Sequence, residues 1–285
     1  MEKEILNDNG LTVLQEKLLV MFKWFHDFCI KHKLRYYALG GTMLGAVRHN
    51  GFIPWDDDID LGMPRKDYQR FVKLSKKIDM GIYKLENSHM GNSDFFYGYS
   101  KIYDTTTTLI EKARINVKRG IYMDIFPLDG AGTTKKDAKK IFKSVFNRYQ
   151  FLIARTCALS SRRKWYKNIS IIIARLVPDI LVDNKKLLKK IDQLCAKYDY
   201  DTSRYVGNFL GNWGIKETMP QNYMGRPVLY KFEDIFIYGV EKYEKYLTCL
   251  YGDWRKLPPK EERASRHEYI FLDVGNGYLD VLGAD

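Results

Sequence analysis

A run of four carboxylates in five positions is the feature that most constrains this chain. The run follows a glycine-rich turn and consists of Asp56, Asp57, Asp58 and Asp60. Carboxylates held this close repel each other, so their ionised form is costly unless a cation or a proton neutralises it. A folded protein that keeps them together is therefore expected to bind a metal ion there.

The alternation of polar and apolar residues over 58–61 predicts a strand with Asp58 and Asp60 on one face. At about 3.3 Å rise per residue their backbones lie roughly 6–7 Å apart, so both carboxylates can reach one ion or a pair of ions. Asp56 is an even number of residues from Asp58 and Asp60, so it would lie on their face of an extended chain, whereas Asp57 would lie on the opposite face. Ligands that are all oxygen suit Mg²⁺ or Mn²⁺ and argue against zinc.

Four familiar sequence patterns fit the acidic run and its glycine turn less well than a metal site does. A solvated loop is the most common of them, but apolar residues flank this run at 52–55 and 59–61. An EF-hand calcium loop needs glycine where Leu61 stands and is interrupted by Pro64. A Walker A loop needs Gly-Lys-Ser/Thr after its glycines, and a dinucleotide fingerprint needs glycine where Thr42 stands.

The glycine pair Gly40-Gly41 follows a predicted strand at residues 34–39. Thr42 is predicted to cap a short helix that runs through Val47. The N-terminus of a helix after a glycine turn presents backbone N–H groups and suits a phosphate. Gly40, Gly41 and Thr42 are therefore candidate substrate-binding residues.

Asp124 is a second acidic feature, flanked by apolar residues in a segment that reads as a buried strand. A buried carboxylate needs partners, and the metal ion already predicted is the simplest one. The alternative is that Asp124 caps a turn before Pro127.

Strands are predicted at 83–86, 97–103, 107–111 and 121–126, and helices at 11–32 and 64–77.

Composition is that of an ordinary globular protein, with 285 residues of which 45% are hydrophobic. The four cysteines are far apart and suggest neither a zinc site nor a disulfide framework. The N-terminus lacks the layout of a signal peptide, and the longest apolar run, at 169–182, is too short to span a bilayer. We therefore expect a cytoplasmic protein in a reducing compartment.

The net charge of +12 is concentrated in one segment, because residues 133–194 contain 16 Lys and Arg against 4 Asp and Glu. Two or three helices are predicted over 134–200, and a solvated helix face is the usual origin of such charge. The alternative is attraction to anionic lipid at the inner face of the cell membrane, since Trp165 and Tyr166 lie beside the basic residues. No nucleic acid is expected, because the aromatic residues do not interleave as stacking platforms.

Two adjacent segments carry a resemblance to a known family. Gly-Gly-Thr-Met-Leu-Gly-Ala-Val-Arg (40–48) and Phe-Ile-Pro-Trp-Asp-Asp-Asp-Ile-Asp (52–60) resemble the signature of the LicD family. These are bacterial phosphocholine transferases of the nucleotidyltransferase-fold superfamily, and the fukutin-related ribitol-phosphate transferases are similar to them. The likeness extends more loosely to 120–129 and 251–259. We expect an α/β (α+β) fold, with a nucleotidyltransferase-like short mixed sheet flanked by helices and a helical subdomain.

The resemblance also implies roles for the acidic residues. It maps two metal-binding carboxylates on one strand onto Asp58 and Asp60, and a third on a neighbouring strand onto Asp124. These three are the predicted catalytic residues, with Asp124 as the expected general base. Whether Asp56 or Asp58 is the leading ligand stays open, so the predicted metal set is Asp56, Asp58, Asp60 and Asp124, with Mg²⁺ or Mn²⁺ as the cofactor. The predicted substrate-binding cations are Arg48, Lys101, Arg263 and His267.

Three regions are predicted: a catalytic core at 1–132, a basic helical subdomain at 133–204 and a C-terminal segment at 205–285. The last region contains a predicted strand pair around 228–238 and a helix over 240–250. In the LicD-like pattern this C-terminal segment packs back on the catalytic core.

A LicD-like enzyme would transfer phosphocholine from CDP-choline, or a related CDP-alcohol donor, to a glycan hydroxyl. The acceptor would be a cell-surface precursor such as teichoic acid or lipopolysaccharide, commonly lipid-linked. An aromatic cage would hold the choline, although abundant tyrosine more often reflects simple packing. Candidates for it are Tyr97, Tyr99, Tyr122 and Trp254. The alternatives are a nucleotidyltransferase acting on a small-molecule or protein hydroxyl, and a catalytically inactive relative that binds glycan or lipid.

Overall fold

Eight α-helices and twelve strands are found in the part of the chain that the computed structural model describes, which is residues 10–87, 97–111, 118–157, 159, 165–178, 180–265 and 269–278. The helices are α1 (Val13–His32), α2 (Gly40–His49), α3 (Arg65–Ser75), α4 (Lys135–Thr156), α5 (Trp165–Leu176), α6 (Asn184–Cys195), α7 (Gln221–Met224) and α8 (Tyr243–Tyr251). The strands are β1 (Tyr37–Ala38), β2 (Asp60–Pro64), β3 (Tyr83–Glu86), β4 (Ser100–Asp104), β5 (Thr108–Glu111), β6 (Lys118–Arg119), β7 (Tyr122–Gly130), β8 (Tyr205–Gly207), β9 (Thr218–Pro220), β10 (Val228–Phe232), β11 (Ile235–Gly239) and β12 (Tyr269–Asp273).

A mixed sheet in the order β1-β2-β7-β4-β3 holds the main core. Strands β2 and β7 are parallel, whereas the other neighbours on this path pair antiparallel. Strand β8 adds to the far end of β7, and β9 adds to β8. Two smaller sheets, β10-β11 and β12-β5-β6, complete the strand pairing. The predicted mixed α/β fold is confirmed.

Helix α1 packs a stripe of large aromatic side chains into the core. Phe22 and Phe25 are fully buried and contact Tyr36 edge to face. The helix begins with a capping box, in which Thr12 and Gln15 exchange side-chain and backbone hydrogen bonds. The predicted amphipathic helix is therefore confirmed, and its aromatic stripe is core.

Most predicted elements lie where the residue pattern indicated, with shifted ends. The strand predicted at 34–39 is reduced to residues 37–38, and the strand predicted from residue 58 begins only at Asp60. Strand β7 continues past Asp124 and through Pro127 to residue 130, so Asp124 does not cap a turn before that proline. Proline is tolerated there because β4 pairs with β7 only as far as Ile125, which leaves no β4 acceptor for an N–H at position 127.

The basic segment forms three helices, in which α5 and α6 both pack against α4. A buried ion-pair network joins this unit to the sheet. Arg65 donates two hydrogen bonds to Asp129 of β7, at 2.7 and 2.6 Å, and a third to Asp192 of α6 at 2.7 Å. No helix in the described ranges combines the length and apolar character that a bilayer crossing requires.

Candidate active site

Asp60 and Asp124 stand side by side on neighbouring parallel strands. They are register partners in the β2–β7 pair, and the N–H of Asp124 donates to the carbonyl of Ile59 at 3.0 Å. Paired residues of adjacent strands point to the same face of a sheet. The sheet thus gathers the two acidic segments that are more than 60 residues apart in sequence.

The pKa of Asp60 is affected by the charges of the other acidic residues. The pKa of Asp60 lies well above its usual value, first because the carboxylate lies deep in the protein, and then because Asp58, Asp124 and Asp56 repel its charge. The side chain nevertheless remains partly exposed to solvent. The charges of Asp56, Asp58 and Asp124 thus all act on the Asp60 carboxylate.

A divalent cation fits this site by ligand type and by charge, since oxygen-only ligands that repel one another are what Mg²⁺ neutralises. In the described residues, however, no three His, Cys, Asp or Glu side chains form a group that could hold a metal ion. The ammonium of Lys101 instead lies 2.8 Å from Oδ1 of Asp124. The metal site accordingly stays a prediction.

Helix α2 begins directly at the glycine pair, which makes the predicted helix cap at Thr42 wrong. Leu39 is the N-cap, and Thr42 lies in the first turn, where its hydroxyl accepts a hydrogen bond from the N–H of Asp60 at 2.9 Å. The N–H of Gly40 donates to the Tyr246 hydroxyl at 2.9 Å. The N–H groups of Gly41 and Thr42 are first-turn groups without an intrahelical acceptor, so this end of α2 can face an anion.

Gly41 lies against the acidic run. A Cβ atom built on Gly41 would come 2.5 Å from Oδ2 of Asp56, and one on Gly40 would come 3.4 Å from Oδ2 of Asp60. Any larger residue at Gly41 would have to displace Asp56. The predicted phosphate-binding turn and the predicted metal ligands are thus in direct contact.

Lys101 is almost completely buried, with 3% of its surface exposed. Three tyrosine rings surround its ammonium, with centroids 3.4 Å away for Tyr122, 4.8 Å for Tyr97 and 5.8 Å for Tyr99. Three of the four candidate cage residues therefore face one cation, which is the protein's own. Trp254 instead lies under the guanidinium of Arg255, at 4.3 Å.

The predicted substrate-binding arginines lie close enough for their charges to interact. The pKa of Arg48 is lowered chiefly by burial, and Arg263 adds to this by repelling its charge. Arg48 donates to the carbonyl of Trp254 at 2.9 Å, and Arg263 lies 5.6 Å from the ring centroid of Trp55. The C-terminal part of the chain thus contacts the segment that carries the acidic run.

Ser265 also links the C-terminal part of the chain to the acidic run, because its hydroxyl donates a hydrogen bond to the carboxylate of Asp57. Asp57 therefore has a different partner from Asp60, as its opposite parity indicates. The predicted substrate-binding residue His267 lies outside the described residues.

Two residues near the site were missed by sequence reasoning. Glu217 is buried and accepts a hydrogen bond from the N–H of Trp213 at 2.8 Å, and burial raises its pKa to about 7. The Tyr251 hydroxyl lies 3.8 Å from where a Cβ atom on Gly40 would stand, and its pKa is raised first by burial and then by Asp56 and Asp60. The only signal for Glu217 is an acid within a mainly apolar and glycine-containing stretch at 209–219.

Comparison with known proteins identifies the family of this chain. The profile described as "LicD/FKTN/FKRP, nucleotidyltransferase domain" matches residues 33–154, which carry Asp60 and Asp124. The Haemophilus influenzae protein named lipopolysaccharide cholinephosphotransferase LicD is 30% identical over 264 residues, which is 90% of this chain and 96% of that protein. The chain belongs to the LicD family. The LicD resemblance and the prediction of a family transferase are thereby confirmed.

Two further relatives match shorter stretches of the chain. The human protein named ribitol 5-phosphate transferase FKRP is 53% identical over 34 residues, 12% of this chain and 7% of that protein. A yeast protein named mannosyltransferase regulator 4 is 28% identical over 134 residues, 45% of this chain and 11% of that protein. Only the Haemophilus LicD match among these three spans both the acidic core and the C-terminal segment that packs against it.

Proposed function

We propose that this protein transfers phosphocholine, or a similar phospho-alcohol group, from a CDP-activated donor to a hydroxyl of a cell-surface glycan precursor such as lipopolysaccharide or teichoic acid. The observation that carries the proposal is the pairing of Asp60 and Asp124 on parallel strands beside the start of α2. It is supported by the name of the Haemophilus relative, whose sequence aligns with nearly the whole chain.

The acidic residues would hold a Mg²⁺ or Mn²⁺ ion, with Asp58, Asp60 and Asp124 as its ligands. Such an ion supplies positive charge that stabilises the diphosphate and the departing nucleotide. Asp60 suits this role because its charge is repelled on several sides and needs a counter-ion. Asp56 lies against Gly41 and can complete the ligand set.

The start of α2 would bind a phosphate of the donor. Gly41 and Thr42 present N–H groups there, and the helix dipole adds partial positive charge. Arg48 and Arg263 repel each other and would gain from an anion between them. The donor diphosphate would therefore lie between the acidic strands and the C-terminal cations.

Asp124 would act as the general base that accepts the proton of the attacking hydroxyl. Its ion pair with Lys101 orients the carboxylate, and the buried ammonium is fixed by three tyrosine rings. Lys101 is almost completely buried, so it would act through Asp124 and not by contact with the donor. This arrangement gives Lys101 a positioning role next to the reacting atoms.

The head group of the donor is the part of the proposal that the family does not decide. Among the relatives, one protein is named for cholinephosphate transfer and another for ribitol 5-phosphate transfer. The tyrosines around Lys101 already face the protein's own ammonium, so they do not select a head group. Choline is the preferred head group because the relative that aligns with nearly the whole chain is named for cholinephosphate transfer.

The test is CMP release by the purified protein with Mg²⁺, a lipid-linked glycan acceptor, and CDP-choline, CDP-ethanolamine, CDP-ribitol or CDP-glycerol in parallel. We expect release from CDP-choline, loss of that release in EDTA, and loss in Asp60→Asn. Asp57→Asn is the matched control, because its amide oxygen can still accept the hydrogen bond of Ser265. Absence of CMP from every donor would contradict the proposal.

A further inference from the structure

Helix α5 exposes a continuous apolar face on the surface of the protein. Trp165 is 73% exposed, Ile173 is 59% exposed and Leu176 is 75% exposed. Side chains at intervals of three and four residues share one side of a helix. The α5 face consists of Trp165, Ile169, Ile172, Ile173 and Leu176, and Ile180 and Leu181 continue the exposed apolar surface beyond the helix.

The orientation of this face is fixed by the other side of the helix. Ile171 and Ala174 are buried, and they turn the opposite side of α5 toward the protein. The buried guanidinium of Arg155 on α4 donates hydrogen bonds to the carbonyls of Ala174 at 3.1 Å and Val177 at 2.6 Å. The last turn of α5 is thus fixed to α4, so the apolar face cannot turn inward without breaking these bonds.

The charge around the α5 face indicates what covers it. The segment 133–194, which contains α4, α5 and α6, holds 16 Lys and Arg against 4 Asp and Glu. Lys167 on α5 itself and several lysines of α4 and α6 are exposed. An exposed apolar stripe within a strongly basic unit is the pattern of a helix that lies on an anionic lipid surface. Tryptophan and tyrosine at one end of such a helix suit the head-group region.

We propose that the α5 face docks on an anionic bilayer surface. The helix would lie parallel to the membrane, with its apolar side chains about 5–10 Å deep at the boundary of head groups and acyl chains. A helix of 12 residues is too short to cross the bilayer. The proposal goes beyond the transfer reaction, and it gives the basic segment a function of its own.

The test is co-sedimentation of the full chain with vesicles of phosphatidylcholine alone and of phosphatidylcholine with phosphatidylglycerol. We expect binding to the anionic vesicles, weakened by salt. The double variant Ile173→Glu/Leu176→Glu should lower the partition coefficient at least about tenfold. Emission from Trp165, the most exposed of the five tryptophans, should shift to shorter wavelength on binding.

Phe236→Glu is the matched control, because Phe236 is 61% exposed on β11 and lies outside the α5 face. It should bind vesicles as the wild type does, and thermal unfolding should show that each variant is folded. Equal partition of the wild type and the double variant would overturn the proposal. A wild type that is a dimer and does not bind vesicles, together with a double variant that is a monomer, would also overturn the proposal. A second copy of the chain would then cover this face.

Discussion

The Nζ atom of Lys101 lies 2.8 Å from Oδ1 of Asp124, and the two residues are also register partners in the β4–β7 pair. A buried cation of the protein itself therefore neutralises a carboxylate that is proposed to bind the metal ion. Because both cations act on the same carboxylate, a bound metal ion and the Lys101 ammonium are expected to influence each other.

Lys101→Met should destabilise the metal-free protein, by up to about 3 kcal/mol, because it leaves a mostly buried carboxylate without its cation. Magnesium should restore part of this loss, so the stabilisation by Mg²⁺ should be larger in the variant than in the wild type. Urea unfolding in EDTA and in Mg²⁺ measures both effects. Lys84→Met is the control, because Lys84 is exposed and pairs with Glu86 at 3.7 Å. An equal Mg²⁺ effect in the wild type and Lys101→Met would contradict the account.

Asp60→Asn should separate stability from activity. The substitution removes one of several carboxylates that repel each other, so the metal-free protein at pH 8 should become more stable. CMP release should fall at least about 100-fold, because a proposed metal ligand is lost. Thermal unfolding in EDTA and the CMP assay measure the two effects. A less stable and still active variant would show that Asp60 is structural.

Glu217 should make stability depend on pH. Burial raises its pKa to about 7 from 4.5, so the folded protein binds a proton that the unfolded chain has lost within that interval. The free energy of unfolding should therefore fall as pH rises from 4.5 to 7, by up to about 3 kcal/mol. Glu217→Gln should remove this part of the pH dependence while keeping an acceptor for the Trp213 N–H.

The measurement for Glu217 is urea unfolding between pH 4.5 and pH 8 in EDTA. Glu244→Gln is the control, because Glu244 lies on the surface and is largely exposed. If the pH slope of Glu217→Gln equals that of the wild type, the buried carboxyl group is not the origin of the dependence.

Gly41→Ala should impair catalysis more than stability. The new methyl group would come 2.5 Å from Oδ2 of Asp56 and would displace that carboxylate, so the specificity constant should fall about tenfold or more. Gly275→Ala is the control, since its methyl group would meet Asp273 at an ordinary 3.7 Å. Asp56→Asn in the same assay would show whether Asp56 or only Asp58 is needed as a ligand. Unchanged activity in Gly41→Ala would remove Asp56 from the site.

The sequence alone predicted the elements whose evidence is local. Periodicity located α1 and predicted two or three helices in the basic segment, where the structure has three. The pair β10–β11 follows from two short apolar runs around Glu233 and Asp234. The acidic run also carried its own evidence, because four nearby carboxylates need a cation wherever they lie.

The arrangement of the site depends on contacts between distant residues, which no local pattern contains. The register that places Asp60 beside Asp124 comes from pairing across the sheet. Thr42 looked like a helix cap because a threonine after two glycines suits one, but the hydrogen bond from the N–H of Asp60 uses its hydroxyl instead. Glu217 was missed since its burial depends on the packing of an irregular segment.

The most direct test is the mass of the glycan acceptor after incubation with CDP-choline, Mg²⁺ and the purified protein. We expect a product heavier by one phosphocholine group, formed by the wild type and Asp57→Asn but not by Asp60→Asn or Asp124→Asn. An acceptor that gains a cytidine monophosphate group, or that stays unchanged with every CDP-activated donor, would contradict the proposal.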